Sequence, residues 1–126
     1  MGDALMKAQQ ILIAGPYRSG TNGDAARIAA NLQRLEQAAL AVYQRGHVPV
    51  FGEWLSLPLA AAAGSRQVGD EIGEAYLYPV AHRLIAQCQG IYRIDGASQG
   101  ADKDVEVAEA LGLTVYRRLA EIPVVA

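Results

Sequence analysis

The first organised stretch of the chain is Gln10–Ala14, Q-I-L-I-A, an apolar run closed by Gly15-Pro16. A short run without polar alternation, stopped by a turn signal, predicts a strand buried on both faces. Past the polar stretch Arg18–Gly23, apolar residues return at Ile28, Leu32, Leu35, Ala39 and Val42, with Arg27, Arg34 and Gln37 off that line. The spacing predicts an amphipathic helix that Asp24 caps and Gly46 ends. His47–Phe51 reads as a second strand, and Pro49, which lacks an amide hydrogen, points to an edge position. Leu55–Ala63 predicts a short helix, while Gly64 to Tyr78 shows no clear period and reads as a flap.

Pro79 suits the first turn of a further helix, in which Val80, Leu84, Ile85 and Cys88 make one apolar stripe ending near Gly90. Ile91–Ile94 predicts strand three, Asp95–Gly100 a loop, Ala101–Leu111 a helix closed by Gly112, and Leu113–Arg117 strand four. Ile122–Val125 stands as a candidate fifth strand. Strands alternating with helices through right-handed links give an α/β fold, a parallel sheet of four to five strands with helices on both faces. In such sheets ligands bind beyond the carboxyl ends of the strands. That brings together Gly15–Gly23, Phe51–Trp54 and Asp95–Asp104.

At 126 residues the chain has the length of one domain, read here as 1–126 with residues 1–9 as an N-terminal tail. Its 52% hydrophobic content favours a packed core over disorder. A net charge of −2, with the eleven Lys and Arg scattered, lacks the basic stripe that grips a nucleic-acid backbone. Polymeric nucleic acid is therefore excluded as the expected partner, and an anionic ligand should be small and held by local groups. One cysteine, Cys88, and no basic-then-apolar N-terminus lead us to expect a cytoplasmic protein, and no apolar run is long enough to predict a membrane span.

The first loop, G-P-Y-R-S-G-T-N-G-D, offers Gly15, Pro16, Tyr17, Arg18, Ser19 and Gly20 as ligand contacts. Glycines permit close backbone approach, and Arg18, Ser19 and Thr21 supply donors for a phosphate or sugar. It is neither a Walker loop nor a dinucleotide fingerprint. The loop D-G-A-S-Q-G-A-D-K-D runs into a helix and points the free amides and hydroxyl of Gly96, Ser98 and Gly100 at one spot, a favourable place for phosphate, with Ala101 beside them as a further contact. Asp102 and Asp104 follow in what reads as the first helical turn, where they either complement the helix dipole or face the ligand. The amides there are expected to lower the Asp104 pKa and keep it ionised, which suits a nucleophile or an oxocarbenium stabiliser. Glu53 and Trp54, after strand two, stand at the rim of the same pocket, Trp54 either stacking on a base or packing as a core aromatic, and Glu53 an alternative catalytic carboxylate or a partner for a ribose hydroxyl.

Other conspicuous residues have plainer readings. His47 and His82 lack metal-ligand spacing with each other or with Cys88, so no metal and no cofactor is expected. His47 reads as a structural partner, His82 as solvent-facing, and Cys88 as core. Asp70, Glu71 and Glu74 read as a solvated acidic face.

Taken together, I-L-I-A-G-P-Y-R-S-G at Ile11–Gly20, the helix opened by Asn31, G-H-V-P-V at Gly46–Val50 and S-Q-G-A-D-K-D-V at Ser98–Val105 resemble the nucleoside 2-deoxyribosyltransferase-like superfamily. The likeness spans most of the chain and is closer to a short bacterial branch than to the transferases or the 2′-deoxynucleoside 5′-phosphate N-hydrolases. It implies a flavodoxin-like, Rossmann-like three-layer sandwich, a nucleoside or nucleotide ligand, and a homodimer or larger homo-oligomer with the apolar Trp54–Ala63 segment as a candidate interface. It implies a catalytic carboxylate at Asp104, where the family's enzymes carry a glutamate. The shorter side chain would draw that group back by roughly 1.5 Å, the length of a carbon–carbon bond. The enzymes carry a tyrosine where this chain has Leu12 and often an aspartate where it has Gln89, with Tyr17 or Tyr92 as replacements. The resemblance thus leaves two functions open: N-glycosidase or deoxyribosyltransferase, and a non-catalytic nucleotide sensor.

Overall fold

A computed structural model describes residues 7–67 and 69–125 of the chain. In order they form β1 (Gln10–Ala14), α1 (Ala25–Gln44), β2 (Val48–Val50), α2 (Gly52–Ala62), α3 (Glu71–Ile85), β3 (Gly90–Arg93), α4 (Gln99–Ala110), β4 (Thr114–Tyr116) and a 3-10 turn at Leu119–Glu121. The sheet order is β2-β1-β3-β4, and every neighbouring pair is parallel. With helices on both faces, this is the expected flavodoxin-like three-layer sandwich, and Pro49 does lie on an edge strand.

β1 organises both sides of the sheet because its apolar residues alternate between them. Ile11 and Ile13 join Leu35, Ala39 and Val42 of α1, together with Phe51, Ile94 and Ile122. Leu12 and Ala14 join Ile85 and Cys88, Ile91, and Ala101, Val105 and Ala108 of α4. Ile11, Val42, Ile85 and Ile91 are fully buried. Burying a side chain of that size contributes about 1.5–3 kcal/mol each, so these two clusters dominate the drive to fold.

Three elements depart from expectation. The fifth strand does not form: Ile122 is buried in the α1 cluster, but the segment around it is tied down by side chains and one backbone bond. Arg45 Nε donates to Ile122 O at 2.9 Å, His47 Nε2 lies 2.6 Å from Pro123 O, and Val125 N donates to Arg45 O at 2.8 Å. His47 also accepts from Gln9 N at 2.9 Å, which is the structural role anticipated for it and engages a residue placed with the tail. Second, Pro79 does not open its helix. α3 begins at Glu71, and Asp70, expected on a solvated face, caps it by accepting from Gly73 N at 2.7 Å. The expected flap is thereby helical from Glu71 onward, and Pro79 sits inside it. Third, α2 starts at Gly52, directly after Phe51, so Glu53 and Trp54 occupy its first turn rather than a loop.

Gly46 ends α1 with φ of +96°, and a Cβ there would strike the carbonyl oxygen of Val125. Gly46→Ala is expected to cost about 1–3 kcal/mol in urea denaturation, because it adds backbone strain to a collision that no rotamer can relieve. The Val125 amide should then exchange with deuterium faster than in the wild type. A variant of unchanged stability would show that the C-terminal segment does not bear on this glycine.

Candidate functional site

The loop after β1 is fixed from beneath rather than free. Asn31 of α1 donates to Tyr17 O at 2.9 Å, and Thr21 Oγ1, almost wholly buried, donates to Arg18 O at 2.5 Å. Gly15 passes so close to Ile94 that a Cβ would collide with its side chain. The turn then runs through Gly20, Asn22 and Gly23 at positive φ before Asp24 caps α1, accepting from Arg27 N at 3.0 Å. Tyr17 is buried, and Arg18 and Ser19 are left exposed.

The loop after β3 is braced by Arg93, a buried cation that nothing in the sequence pattern singles out. Its guanidinium donates to Ile94 O, to Gly96 O at 2.8 Å and to Asp102 Oδ1 at 3.0 Å. These bonds fold the loop back so that Ser98 becomes the N-cap of α4, accepting from Ala101 N at 3.1 Å. The Ser98 hydroxyl hydrogen and the first amides of α4 remain available for a ligand.

These two loops and the first turn of α2 meet in a cleft of about 130 Å³ beyond the carboxyl ends of β1 and β3. Gly15, Tyr17, Arg18, Ser19, Glu53, Ser98, Gly100, Ala101 and Asp104 line it. Four residues expected there do not. Pro16 is buried and packs against Gly96, Gly20 lies on the exposed turn, and Asp102 is engaged by Arg93 and 68% exposed. Trp54 tilts against Phe51, with ring centroids 3.9 Å apart, and remains outside the cleft. Of the two replacement tyrosines, Tyr17 faces the cleft and Tyr92 packs against the α1 cluster.

The fourth wall was not anticipated. α3 contributes Glu74, Leu77, Tyr78 and Ala81, and Arg18 pairs with Glu74 across the opening. The spacing i, i+3, i+4, i+7 is a single helical face, a signal that a helix start at Pro79 hides. A second cavity of about 190 Å³ adjoins the cleft on the far side of Tyr17, Arg18, Glu74 and Leu77.

The electrostatics of the cleft overturn one expectation. Because Ser98 is the cap, Asp104 falls in the second turn of α4, past the free amides, and its side chain is only 15% exposed. Burial, and next the charge of Glu53, push its carboxyl up from the ordinary 3.8 to about 7, with Arg93 pulling the other way. Burial also raises the Glu53 carboxyl, against a bond to its own amide. His82, expected to face solvent, directs Nε2 at Asp104 Oδ1 from 3.7 Å, and neither atom has a hydrogen-bond partner among the described residues. No group of His, Cys, Asp and Glu is arranged to hold a metal ion among the described residues. No described helix is long and apolar enough to cross a membrane. No protein-family model matches the chain, and no curated protein matches it.

A carboxyl raised on folding makes stability depend on pH. The folded chain holds an extra proton between pH 3.8 and about 7, so stability is complete below that window and falls as pH rises through it. Asp104→Asn removes the penalty. In urea denaturation it should exceed the wild type at pH 8 by on the order of a few kcal/mol and match it near pH 4. Equal or lower stability at pH 8 would contradict a buried, desolvated Asp104.

Proposed function

We propose that the cleft cleaves the bond between base and sugar in a nucleoside or nucleoside 5′-monophosphate, releasing the free base by hydrolysis or transferring the sugar to another acceptor. The observation that carries this reading is the pair of carboxyls, Asp104 and Glu53, brought from two helices to one small cleft with Asp104 raised to about 7. Glycosidic cleavage needs one protonated carboxyl to give the leaving group a proton and one ionised carboxyl to stabilise or trap the positive sugar carbon. Asp104 suits the first task and Glu53 the second. This assignment reverses the role suggested for Asp104 by its place in the sequence. Ser19, Arg18, Ser98 and the first amides of α4 are the donors for the sugar hydroxyls or the 5′-phosphate.

A second reading, a nucleotide sensor without catalysis, draws on the two positions where the related enzymes carry polar groups. Leu12 is buried in the α3–α4 cluster, and Gln89 spends its side-chain oxygen on Gln10 N at 2.7 Å, before β3 begins. Neither contributes to the cleft. Both readings carry a cytoplasmic homodimer or larger homo-oligomer, with exposed Trp54, Leu55 and Leu59 on α2 as the contact surface.

Incubation with deoxynucleosides and their monophosphates, followed by chromatography of released base, separates the two. Release is expected, declining as pH rises above about 7 with the loss of the Asp104 proton. Asp104→Asn should slow it by roughly 100- to 10,000-fold, the usual worth of a general acid, with affinity changed little. Binding without any release supports the sensor, and undiminished turnover in the variant removes Asp104 from the chemistry.

A further inference from the structure

His82 Nε2 on α3 and Asp104 Oδ1 on α4 lie 3.7 Å apart, each with almost no accessible surface and no hydrogen-bond partner among the described residues. Buried polar atoms are nearly always satisfied, so two of them left unmet and turned towards each other need explaining together. Among the described residues no neighbour offers Oδ1 another donor. From α2, Glu53 faces Asp104 with a second carboxyl. From the end of β3, Arg93 acts on Asp104 through its charge but donates its hydrogens to Ile94 O, Gly96 O and Asp102 Oδ1. At the opening Arg18 is paired with Glu74, and on α3 the Tyr78 ring flanks His82 with centroids 6.4 Å apart. A nitrogen–oxygen hydrogen bond spans about 2.7–3.2 Å, so a closure of about 0.5–1 Å satisfies both buried atoms at once. Bonds of this kind in active sites commonly tighten only when substrate binds.

We infer that His82 is the positioning residue of the acid: its Nε2–H donates to Asp104 Oδ1 and so confines the carboxyl proton to Oδ2, the oxygen that a ligand in the cleft can meet. The inference rests on the N-glycosidase reading of that cleft. Because Oδ1 is sealed, the proton destined for the leaving base has to sit on Oδ2. Oδ1 is then a carbonyl oxygen, which only accepts, and the imidazole nitrogen facing it is the donor. Asp104 lines the cleft and His82 does not, so the imidazole acts through the carboxyl. When the bond between base and sugar breaks, the Oδ2 proton passes to the base nitrogen and Asp104 becomes an anion. A hydrogen bond to an ionised carboxylate is roughly twice as strong as one to a neutral group, so the His82 contact strengthens as that charge develops. The water that adds to the sugar carbon returns a proton to Oδ2, and Nε2 keeps its own hydrogen throughout.

The test compares the wild type with His82→Gln, whose amide can donate in place of Nε2–H but cannot titrate, and with His82→Leu, which cannot donate. The imidazole is 35% exposed, so neither change empties the core. In the base-release assay His82→Leu should lose about 10- to 100-fold in kcat with KM little changed, as misplacement of a catalytic group does. His82→Gln should recover most of that loss, and adding His82→Leu to Asp104→Asn should cost nothing further. Equal losses in the two His82 variants, or a further loss in the double variant, would overturn the inference. A readout without turnover comes from the nitrogen NMR shifts of the ring across about pH 5 to 9, where imidazoles titrate. Nε2 should keep its hydrogen at every pH while Nδ1 alone loses its own, and the Nε2 hydrogen should exchange with water faster in Asp104→Ala. Loss of the proton from Nε2 instead, or exchange unaffected by Asp104→Ala, overturns the pairing whatever the activity. If no base is released from any nucleoside, the expected NMR result supports the pairing and rejects the catalytic reading. Base release at the wild-type rate in His82→Leu would keep the catalytic reading and reject the role of His82.

Discussion

β1 is hydrogen-bonded along both edges and buried on both faces, and every wall of the cleft is hung from that constraint. Its register with β2 and β3 sets where those strands stop, and the chain must turn immediately at each stop because helices cover both faces. α2 begins two residues after β2, which leaves Glu53 in a first turn with no loop in which to wander. β3 ends at Arg93, whose guanidinium then fixes the length and curl of the path to α4. The cleft is thus a consequence of strand pairing more than of any residue within it, and this explains why glycine-containing loops can still present a defined surface.

Within that frame, one competition decides the chemistry. A helix N-terminus favours an ionised carboxylate by about 0.3–1 kcal/mol, and the effect fades within the first turn. Asp104 stands beyond that turn, so little of it arrives. Its carboxyl rises instead by about three pH units, each equivalent to about 1.4 kcal/mol, so desolvation with Glu53 nearby exceeds both the dipole and the opposing charge of Arg93. A displacement of a few residues in the helix start therefore turns the group from a permanent anion into one that exchanges its proton near neutrality.

The legible part of the fold was the part with unbroken periodicity. β1 was read to the residue, and α1 was recovered with its cap at Asp24 because apolar spacing and capping chemistry agreed. The strand loops at Gly15 and Ser98 followed from the parallel topology. What escaped notice depended on contacts between distant segments. Ile122–Val125 has the composition of a strand, but side chains of Arg45 and His47 claim its carbonyls. Pro79 carries a strong signal for a helix start, overridden by Asp70, which satisfies the amides of Arg66 and Gly73 and takes the Ser65 hydroxyl. Those bonds hold its carboxyl down at about 2. Arg93 looked like one scattered cation among eleven, and only folding shows it buried against the loop it braces.

The pairing of Arg18 with Glu74 bears on how the proposed anionic ligand would enter. The two side chains are 39% and 42% exposed, and an ion pair that open to solvent is worth roughly 0.2–1 kcal/mol. A phosphate offers Arg18 more negative charge and a bidentate geometry, so exchanging Glu74 for it costs little. Glu74 is carried on α3, and the segment before that helix presses on the same guanidinium, since a Cβ at Gly69 would collide with it. Release of Glu74 would therefore loosen the attachment of α3 and its leading segment to the β1 loop at the wall that the two cavities share. This exposed pair is the contact that the proposed ligand would exchange, while the bonds that fix the loops come from Asn31, Thr21 and Arg93, which do not line the cleft.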